Sequence, residues 1–345
     1  MSLRWLAGGA IDQHSLQAAG PQAAAIQQLF WVYVALLGAV ALLVAGSVVL
    51  AVLRRRTRQA SPESPALSPD ELPAELPARS FRRLAAQPEA RRRRSVVVST
   101  VLTAIALVGL LVESISTGNA LESLSGGDAL PIEVTGKQWW WQVRYLDAQP
   151  TRVFSTANEL HIPVGRNVRL QLVASDVIHS FWAPNLQGKR DLIPGHDSSL
   201  VLRADRPGRY RAQCAEFCGG AHAQMSLWIV AEPPAVFEAW AAQQRKSARE
   251  PETELQHAGK LVFLRAACPA CHTIQGTTAQ SKVGPDLTHL ASRIGLAAAT
   301  YPNRRGYLGG WLLDAQALKP SNHMPNLSLA PRDLHALLAY LESLQ

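Results

Sequence analysis

Two cysteines, a histidine and a methionine lie in one short segment of this 345-residue chain. In QCAEFCGGAHAQM, residues 213–225, the side chains follow one another at intervals of four, four and three residues: Cys214, Cys218, His222 and Met225. Copper electron-transfer sites combine thiolate, imidazole and a weak thioether ligand. The segment therefore predicts a metal site, and His179 in the upstream DVIHSFWAP is a further candidate ligand.

Zinc and a disulfide are the alternatives for this segment. Zinc binds cysteine and histidine, but a thioether is a poor zinc ligand, so a closed zinc site would leave Met225 without a role. A disulfide between Cys214 and Cys218 is the ordinary alternative in an exported domain. The second thiolate exceeds what a mononuclear copper site requires, and this favours two metal ions bridged by sulfur.

A second motif, CPACH at residues 268–272, has the C-x-x-C-H pattern of a c-type haem attachment site. Cys268 and Cys271 would add to the haem vinyl groups, and their spacing on one helical turn would place His272 beneath the iron. A redox dithiol or a zinc knuckle also uses C-x-x-C. Neither explains the adjoining histidine, and no second pair of this kind is left for zinc.

Two apolar windows precede both motifs, and they predict a transmembrane hairpin. Residues 29–53 are free of charge, and a helix that rises about 1.5 Å per residue would cross a bilayer core of about 30 Å over this length. A secretory signal has a shorter apolar core with positive charge ahead of it, whereas here RRRTR follows. The second window, at 95–113, is just long enough to span.

Arginine clusters border the loop between the two windows, at residues 54–94. The positive-inside rule predicts that this basic, proline-rich loop is cytoplasmic and that the N-terminal segment 1–28 is exported with the C-terminal part. The composition of the loop predicts flexibility. Arginine runs also bind nucleic acid, but clusters that flank apolar spans are usually topology signals, so no nucleic-acid partner is expected.

Short β-branched runs separated by turn residues follow the second window and predict an all-β sandwich over 131–232. The predicted strands are VRLQLVA at 168–174, SLVLRA at 199–204, GRYRAQC at 208–214 and MSLWIVAE at 225–232. This places the Cys-His-Met segment on a loop between two late strands. A linker at 233–254 and a small helical domain at 255–345 complete the chain, with an apolar pattern at helical spacing in its last residues.

The chain resembles cytochrome c oxidase subunit II through CAEFCGGAHAQM, DVIHSFWAP and the aromatic run GKQWWWQVRY at 136–145. The resemblance implies a cupredoxin-like fold that carries the binuclear copper centre called Cu-A. Cys214 and Cys218 would bridge the coppers, with terminal ligands His179 and His222 and weak axial ligands Met225 and the Glu216 carbonyl. The family also uses the carboxylate that matches Glu216 for a magnesium ion shared with subunit I.

The aromatic run has a second implied role, because Trp139 matches the residue through which this family is thought to pass electrons. Packing or anchoring at the membrane interface is the alternative for Trp140 and Trp141. Lys137 departs from the family, which commonly has histidine there. The segment QGKRDLIPG resembles the boundary with subunit I, so Lys189 and Asp191 are expected in its water-filled exit region or as ordinary surface charges.

The C-terminal part resembles cytochromes c beyond the CPACH motif. Their second axial haem ligand lies in a K-P-x-x-x-M-P loop, which here is KPSNHMPNL with Met324 as the ligand and His323 as a competing candidate. GPDL at 284–287 resembles the turn whose carbonyl orients the proximal histidine, and this implies that role for Pro285. Histidine and methionine ligation together favour a high potential.

The combined resemblance implies a multi-domain membrane protein: a two-helix transmembrane hairpin, an all-β cupredoxin-like sandwich and a small all-α cytochrome c domain. It would be the electron-input subunit of a proton-translocating haem-copper oxidase in a bacterial plasma membrane, with both soluble domains periplasmic. Electrons would pass from an external donor such as a cytochrome c through covalent haem c and Cu-A to subunit I. Oxygen reduction would occur in subunit I, and other oxidase subunits and lipid would be further partners.

Two other functions remain open at this point. One is a membrane-tethered protein that handles copper or zinc, with the haem domain as its redox partner. The other is an electron donor to a nitric oxide or nitrous oxide reductase. The histidine-rich catalytic copper domain of the nitrous oxide enzyme is absent from the sequence, and two spans of this topology match the oxidase better.

Overall fold

The computed structural model describes residues 13–59, 78–124 and 126–345, with the backbone alone at 57–59 and 78–88. These residues form two compact units. One is Gln28–Ala120, and the other combines the described residues up to Gln27 with Leu121–Gln345. Residues 60–77 of the predicted loop 54–94 and residues 1–12 of the predicted segment 1–28 lie outside the described residues.

Two long helices carry the apolar windows: α1 (Pro21–Gln59) and α2 (Ala78–Ser123). Their candidate spans, Pro21–Arg56 and Glu89–Ser123, have mean hydropathies of 2.7 and 2.5, and no part of either apolar window is buried in the protein. A helix that is apolar on all sides and has no protein cover requires a lipid environment. Both helices continue beyond the predicted spans at 29–53 and 95–113.

A β-sandwich follows the second helix, which confirms the predicted fold class. Its strands are β1 (Leu130–Lys137), β2 (Trp140–Tyr145), β3 (Phe154–Ala157), β4 (Glu159–Pro163), β5 (Val168–Ala174), β6 (His179–Trp182), β7 (Arg190–Leu192), β8 (Ser198–Leu202), β9 (Gly208–Cys214) and β10 (Ser226–Glu232). Within the described residues the sheets have the orders β3-β2-β1-β5-β8 and β4-β10-β9-β6-β7. All four predicted strands are present, at β5, β8, β9 and β10.

Alternation along the strands builds the core between the sheets. In β5, Val168, Leu170 and Leu172 are fully buried while the residues between them are exposed, as a two-residue period requires. Trp141 of β2 and Phe181 of β6 meet edge to face in this core, with ring centroids 5.9 Å apart. We call strands β1–β10 with the following helix α3 (Pro234–Gln244) the β domain, because α3 packs Phe237 into the same core.

The C-terminal domain, residues 254–345, is built from α4 (Glu254–Arg265), α5 (Arg305–Leu313), α6 (Ala315–Leu318) and α7 (Pro331–Leu341), with a short hairpin of β11 (Gly295–Leu296) and β12 (Tyr301–Pro302). Thr253 and Gln256 form a capping box that starts α4. Helices α4 and α7 cross at Gly259, where a Cβ would lie 2.0 Å from the Ala336 carbonyl oxygen. Phe263 and Tyr340 fill the core between them.

Candidate metal centre and haem-attachment site

The metal loop, residues 214–225, connects the end of β9 to the start of β10. Antiparallel pairing of these strands brings the two ends of the loop together, and the Cys214 backbone N–H donates to the Met225 carbonyl at 2.8 Å. Strand β6 pairs with β9 on the other side, with Phe181 opposite Cys214. This pairing places His179, the first residue of β6, beside the loop.

The two cysteine sulfurs lie at the middle of the predicted ligand set. Cys214 Sγ is 3.7 Å from Cys218 Sγ, 3.8 Å from His179 Nδ1 and 3.2 Å from the Glu216 carbonyl oxygen. Cys218 Sγ is 3.6 Å from His222 Nδ1 and 3.8 Å from Met225 Sδ. A disulfide needs about 2.05 Å between sulfurs, so both thiols are free. The other four predicted ligand residues, His179, Glu216, His222 and Met225, therefore surround the sulfur pair. The ligand atoms of His179, Cys214 and Cys218 lie within 4.8 Å of one another.

The sulfur pair is buried and gives up its first proton easily. The hydrogen bond between the thiols is the main reason that the pKa of Cys214 is lowered, and the same contact raises the pKa of Cys218. A buried thiolate next to a thiol is a poor resting state for a dry interior. Cations that replace both protons would satisfy the two sulfurs together, so the donor set fits soft metal ions.

Asp176 contacts the candidate ligand His179, and the sequence reasoning missed it. Its carboxylate oxygen lies 2.7 Å from His179 Nε2, which orients the opposite ring nitrogen, Nδ1, toward Cys214. Burial opposes the charged form of both groups, but the hydrogen bonds outweigh it, so the pKa of His179 is raised and that of Asp176 is lowered. A carboxylate three residues before a candidate ligand histidine was the signal that could have revealed it.

Replacement of Asp176 with asparagine is expected to weaken copper binding by about 10–100-fold, because partners of ligand histidines commonly contribute that much to metal affinity. Titration of the purified protein against a copper chelator measures the change. Asp147→Asn is the matched control, since that carboxylate pairs with Arg152 at 3.3 Å on the surface of the same domain. Equal affinity in the two variants would exclude a role for Asp176 at the metal.

The aromatic run places three tryptophans in three different environments. Trp139 is 8% exposed, and its Nε1 donates to the Cys218 carbonyl at 3.0 Å. Trp141 is fully buried in the β-domain core, whereas Trp140 is half-buried under the Lys137 ammonium at 5.1 Å. Gly219 has φ +112° and a Cβ there would lie 2.9 Å from Trp139, so the loop needs glycine at this point.

Glu216, Lys189 and Asp191 lie together at the surface beside the metal loop. Lys189 Nζ is 3.7 Å from the Glu216 carboxylate and 3.8 Å from that of Asp191. The Glu216 side chain is half-exposed while its carbonyl faces Cys214. The carboxylate is therefore available to a partner outside the β domain.

The haem-attachment motif begins with a single helical turn in the C-terminal domain. The His272 backbone N–H donates to the Cys268 carbonyl at 3.0 Å, which brings the two cysteines and the histidine onto one turn. His272 Nδ1 lies 2.7 Å from the Pro285 carbonyl, and because a carbonyl can accept but not donate, Nδ1 carries the proton. Burial lowers the pKa of His272, so the ring is neutral with Nε2 as its lone-pair donor. A Cβ at Gly284 would lie 2.8 Å from this ring.

Met324 and His323, the two candidates for the second axial ligand, lie in different surroundings. Met324 is partly buried and packs against the apolar core of its own domain, as Cys268 and Leu287 also do. Gln316 holds this residue in place by donating to its carbonyl at 2.9 Å. His323 is exposed, and its ring centroid lies 5.3 Å from that of Trp139 in the β domain.

Three features define a membrane-anchored redox protein: a cupredoxin-like domain with candidate soft ligands on one loop, a C-x-x-C-H domain and two apolar helices. The family model for the periplasmic domain of cytochrome c oxidase subunit II matches residues 145–232, and the cytochrome c model matches residues 256–345. The chain belongs to the cytochrome c oxidase subunit 2 family, and so it is a subunit of a haem-copper oxidase complex. Membership implies a Cu-A copper centre and a haem.

Relatives named cytochrome c oxidase subunit 2 match most of the chain. The protein of Alkalihalophilus pseudofirmus is 36% identical over 253 residues, which cover 71% of this chain and 72% of that protein. The protein of Bacillus sp. is 28% identical over 268 residues, with 72% and 74% covered. The periplasmic domain of subunit II of cytochrome oxidase from Bradyrhizobium japonicum is 30% identical and covers 35% of this chain and 96% of its own, with a TM-score of 0.33.

Proposed function

We propose that this subunit relays electrons from an external donor through a covalent haem c and a binuclear Cu-A centre to subunit I of the oxidase. The observation that carries the proposal is a pair of buried thiols 3.7 Å apart, ringed by two imidazoles, a thioether and a carbonyl. Two coppers that share bridging thiolates delocalise one electron, which keeps reorganisation on electron transfer small. The β domain supplies the rigid, water-excluding frame for these ligands.

In this proposal Cys214 and Cys218 would hold both metal ions through their sulfurs, and His179 and His222 would each add an imidazole ligand. Met225 and the Glu216 carbonyl would be weaker ligands. Trp141 packs beside His179, with ring centroids 6.1 Å apart. Gly136 also lies close against His179, because a Cβ on this glycine would be 2.8 Å from the His179 ring. The His179 ring is thus closely packed, as a relay whose ligands must not rearrange requires.

Cys268 and Cys271 would hold the haem through thioether links, with His272 Nε2 as an iron ligand. Met324 would be the second iron ligand, because it packs against the core of the C-terminal domain whereas His323 faces Trp139 in the β domain. Pro285 fixes the orientation and tautomer of His272 through its carbonyl. A haem held by histidine and methionine has a high potential, which suits electron transfer.

Exposed apolar side chains beside the metal loop support a contact with subunit I. Phe217, at the tip of the loop, is 77% exposed, and Val177, Ile178 and Ile193 are also exposed. Residues 178 and 193 are neighbours, because His179 pairs with Leu192 in the β6–β7 hairpin. The Glu216 carboxylate on the same loop is then the ligand that this chain offers to a magnesium ion shared with subunit I.

The proposed location is the bacterial plasma membrane, with the β and C-terminal domains on the periplasmic face. Residues ahead of the first span support this topology. The Ala19 backbone N–H donates to the Asn185 carbonyl at 2.7 Å, and the Asp205 N–H donates to the Ala19 carbonyl at 2.9 Å. These contacts support a topology in which the segment before α1 and the β domain are on one side of the membrane, as a two-span hairpin requires.

Electron paramagnetic resonance of the purified oxidase complex tests the proposed function. We expect one unpaired electron shared equally by two copper nuclei, two coppers per chain, and oxygen uptake when a reduced donor is added. A copper-handling protein would instead give a mononuclear signal and metal that exchanges readily with a chelator. A single zinc in the β domain, or no associated haem-rich membrane subunit, would contradict the relay.

A further inference from the structure

Lys319 is a buried lysine at the contact between the C-terminal domain and the β domain. It is 2% exposed, and its Nζ donates to three backbone carbonyls: Trp139 at 2.6 Å, Gln224 at 2.9 Å and Ala297 at 3.2 Å. An ammonium group has three N–H donors, so all of them are used. Two of these acceptors belong to the β domain. Gln224 precedes the candidate ligand Met225, and the Trp139 side chain contacts the Cys218 carbonyl.

Glu159 makes the reverse contact from the β domain. It is buried at the start of β4, and its carboxylate accepts the backbone N–H groups of Ile294 and, at 3.4 Å, Gly295 in the C-terminal domain. His161 holds the other carboxylate oxygen at 3.5 Å. A buried carboxylate is costly unless it is hydrogen-bonded, so this contact depends on the docked C-terminal domain.

Lys137, which departs from the family pattern, makes a third contact. Its Nζ donates to the Lys282 carbonyl at 3.1 Å, in the segment that leads to Pro285. Together the three side chains fasten the β domain to the C-terminal domain at separate points along the interface. We call Lys137, Glu159 and Lys319 the latch.

A left-handed run of three alanines lies between the domains. Ala297, Ala298 and Ala299 have φ values of 52°, 60° and 57°, which are unfavourable for residues with a Cβ. The Ala297 carbonyl accepts from Lys319, and the Ala298 carbonyl accepts the Ser226 N–H of β10 at 3.2 Å. Such a run persists where its surroundings hold it, and here the surroundings include the β domain.

We propose that the latch holds the C-terminal domain docked on the metal loop, with His323 against Trp139, as the resting arrangement of this chain. The docked domain covers Trp139, whose Nε1 contacts the Cys218 carbonyl. The consequence for electron transfer rests on the proposed function. In that function an external donor would supply one electron to the C-terminal domain, where Cys268, Cys271 and His272 would hold the haem. The docked position would let that electron pass on to the metal-loop ligands with no bond or proton exchanged.

Hydrogen exchange on the intact, purified oxidase tests the latch without reference to turnover. The amides of Ser226 and Ile294 report on docking, because their hydrogen bonds cross the interface. Lys319→Met is expected to raise their exchange by about tenfold or more, as the loss of a hydrogen bond to a charged group implies. The Cys214 amide, bonded within the β domain, should keep its protection.

Tyr301→Phe is the matched control for Lys319→Met. The Tyr301 hydroxyl donates to the Leu318 carbonyl at 2.7 Å, so this variant removes a hydrogen bond from the adjoining residue without breaking a bond between the domains. Its interface exchange should match that of the unaltered protein. If Lys319→Met fails to fold, Lys137→Met at a half-buried position gives the second test, with an expected increase of about threefold, since one of several contacts is lost.

The rate of flash-initiated electron transfer from haem to copper tests whether the latch positions the C-terminal domain for electron transfer or only stabilises the fold. The rate in the unaltered protein should be insensitive to salt, whereas in Lys319→Met it should fall about tenfold and become salt-dependent, because undocked charged domains must meet by diffusion. Unchanged exchange at Ser226 and Ile294 in both lysine variants would overturn the latch. Increased exchange in a protein without a binuclear copper signal would overturn the proposed function and leave the latch standing.

Discussion

Replacement of Cys218 with serine is expected to abolish the binuclear copper signal while the haem spectrum stays unchanged. The sulfur of Cys218 contacts both His222 and Met225, and it also contacts the sulfur of Cys214. A serine hydroxyl stays protonated at neutral pH and cannot bridge two soft cations. One thiolate then remains, which suits a mononuclear copper site at most.

Copper content and electron paramagnetic resonance of the purified oxidase measure this loss. We expect copper to fall from two ions per chain to one or none, with a mononuclear signal or no signal. Electron transfer to subunit I should stop, although the haem in the C-terminal domain still accepts electrons from the donor. The haem is thus an internal measure of folding in the variant.

Ser180→Ala is the matched control for the cysteine variant. Ser180 is fully buried next to His179, and within the described residues its hydroxyl has no hydrogen-bond partner. The change removes a buried hydroxyl beside the site and leaves all six ligand residues in place. It should keep the binuclear signal. A binuclear signal that survives in Cys218→Ser would reject the ligand assignment itself.

The sequence predicted much of the fold because short-range patterns determine it. The strands at 168–174 and 208–214 follow a two-residue period that the core enforces, and the apolar windows at 29–53 and 95–113 identify both long helices. The CPACH turn is also local, since its residues lie within five positions. The helix ends were less predictable, because polar residues beyond each window continue the helix without a signal that stops it.

The metal centre was predictable to the extent that its residues are close in sequence. Four candidate ligands lie between 214 and 225, and the upstream motif DVIHSFWAP supplied His179. The family resemblance added the Glu216 carbonyl. Asp176 was missed because a carboxylate in a loop has many ordinary uses, and its contact with His179 depends on the turn before β6. The ligand roles themselves stay predictions that the variants above test.

The contacts between the domains were beyond the sequence. Lys319 lies 180 residues from Trp139 along the chain, and a lysine in a K-P-x-x-x-M-P loop carries no sign of a partner in another domain. The pattern of that loop predicted a haem ligand, and the structure shows that the loop also contacts the β domain. Lys319 and His323 contact the β domain. Met324, which follows His323 directly, packs against the core of the C-terminal domain.

Replacement of Met324 with alanine is expected to convert nearly all of the low-spin, six-coordinate haem into a five-coordinate or water-bound high-spin form. Alanine removes the thioether that this side chain would offer to the iron, and the potential should fall because methionine ligation raises it. Absorption and magnetic circular dichroism spectra of the purified protein measure the spin state, and a redox titration measures the potential. The binuclear copper signal should persist.

The variant His323→Ala tests whether His323 or Met324 is the haem ligand. It also distinguishes the loop's role in haem binding from its contact with the β domain. The His323 ring faces Trp139 rather than the core of the haem domain, so its removal should leave the haem low-spin while it loosens the contact between the domains. If the haem is low-spin in Met324→Ala but high-spin in His323→Ala, the second axial ligand is His323 and not Met324. That outcome would require the loop to turn over, which would carry Lys319 away from the Trp139 carbonyl, so interface hydrogen exchange in the same samples would register it.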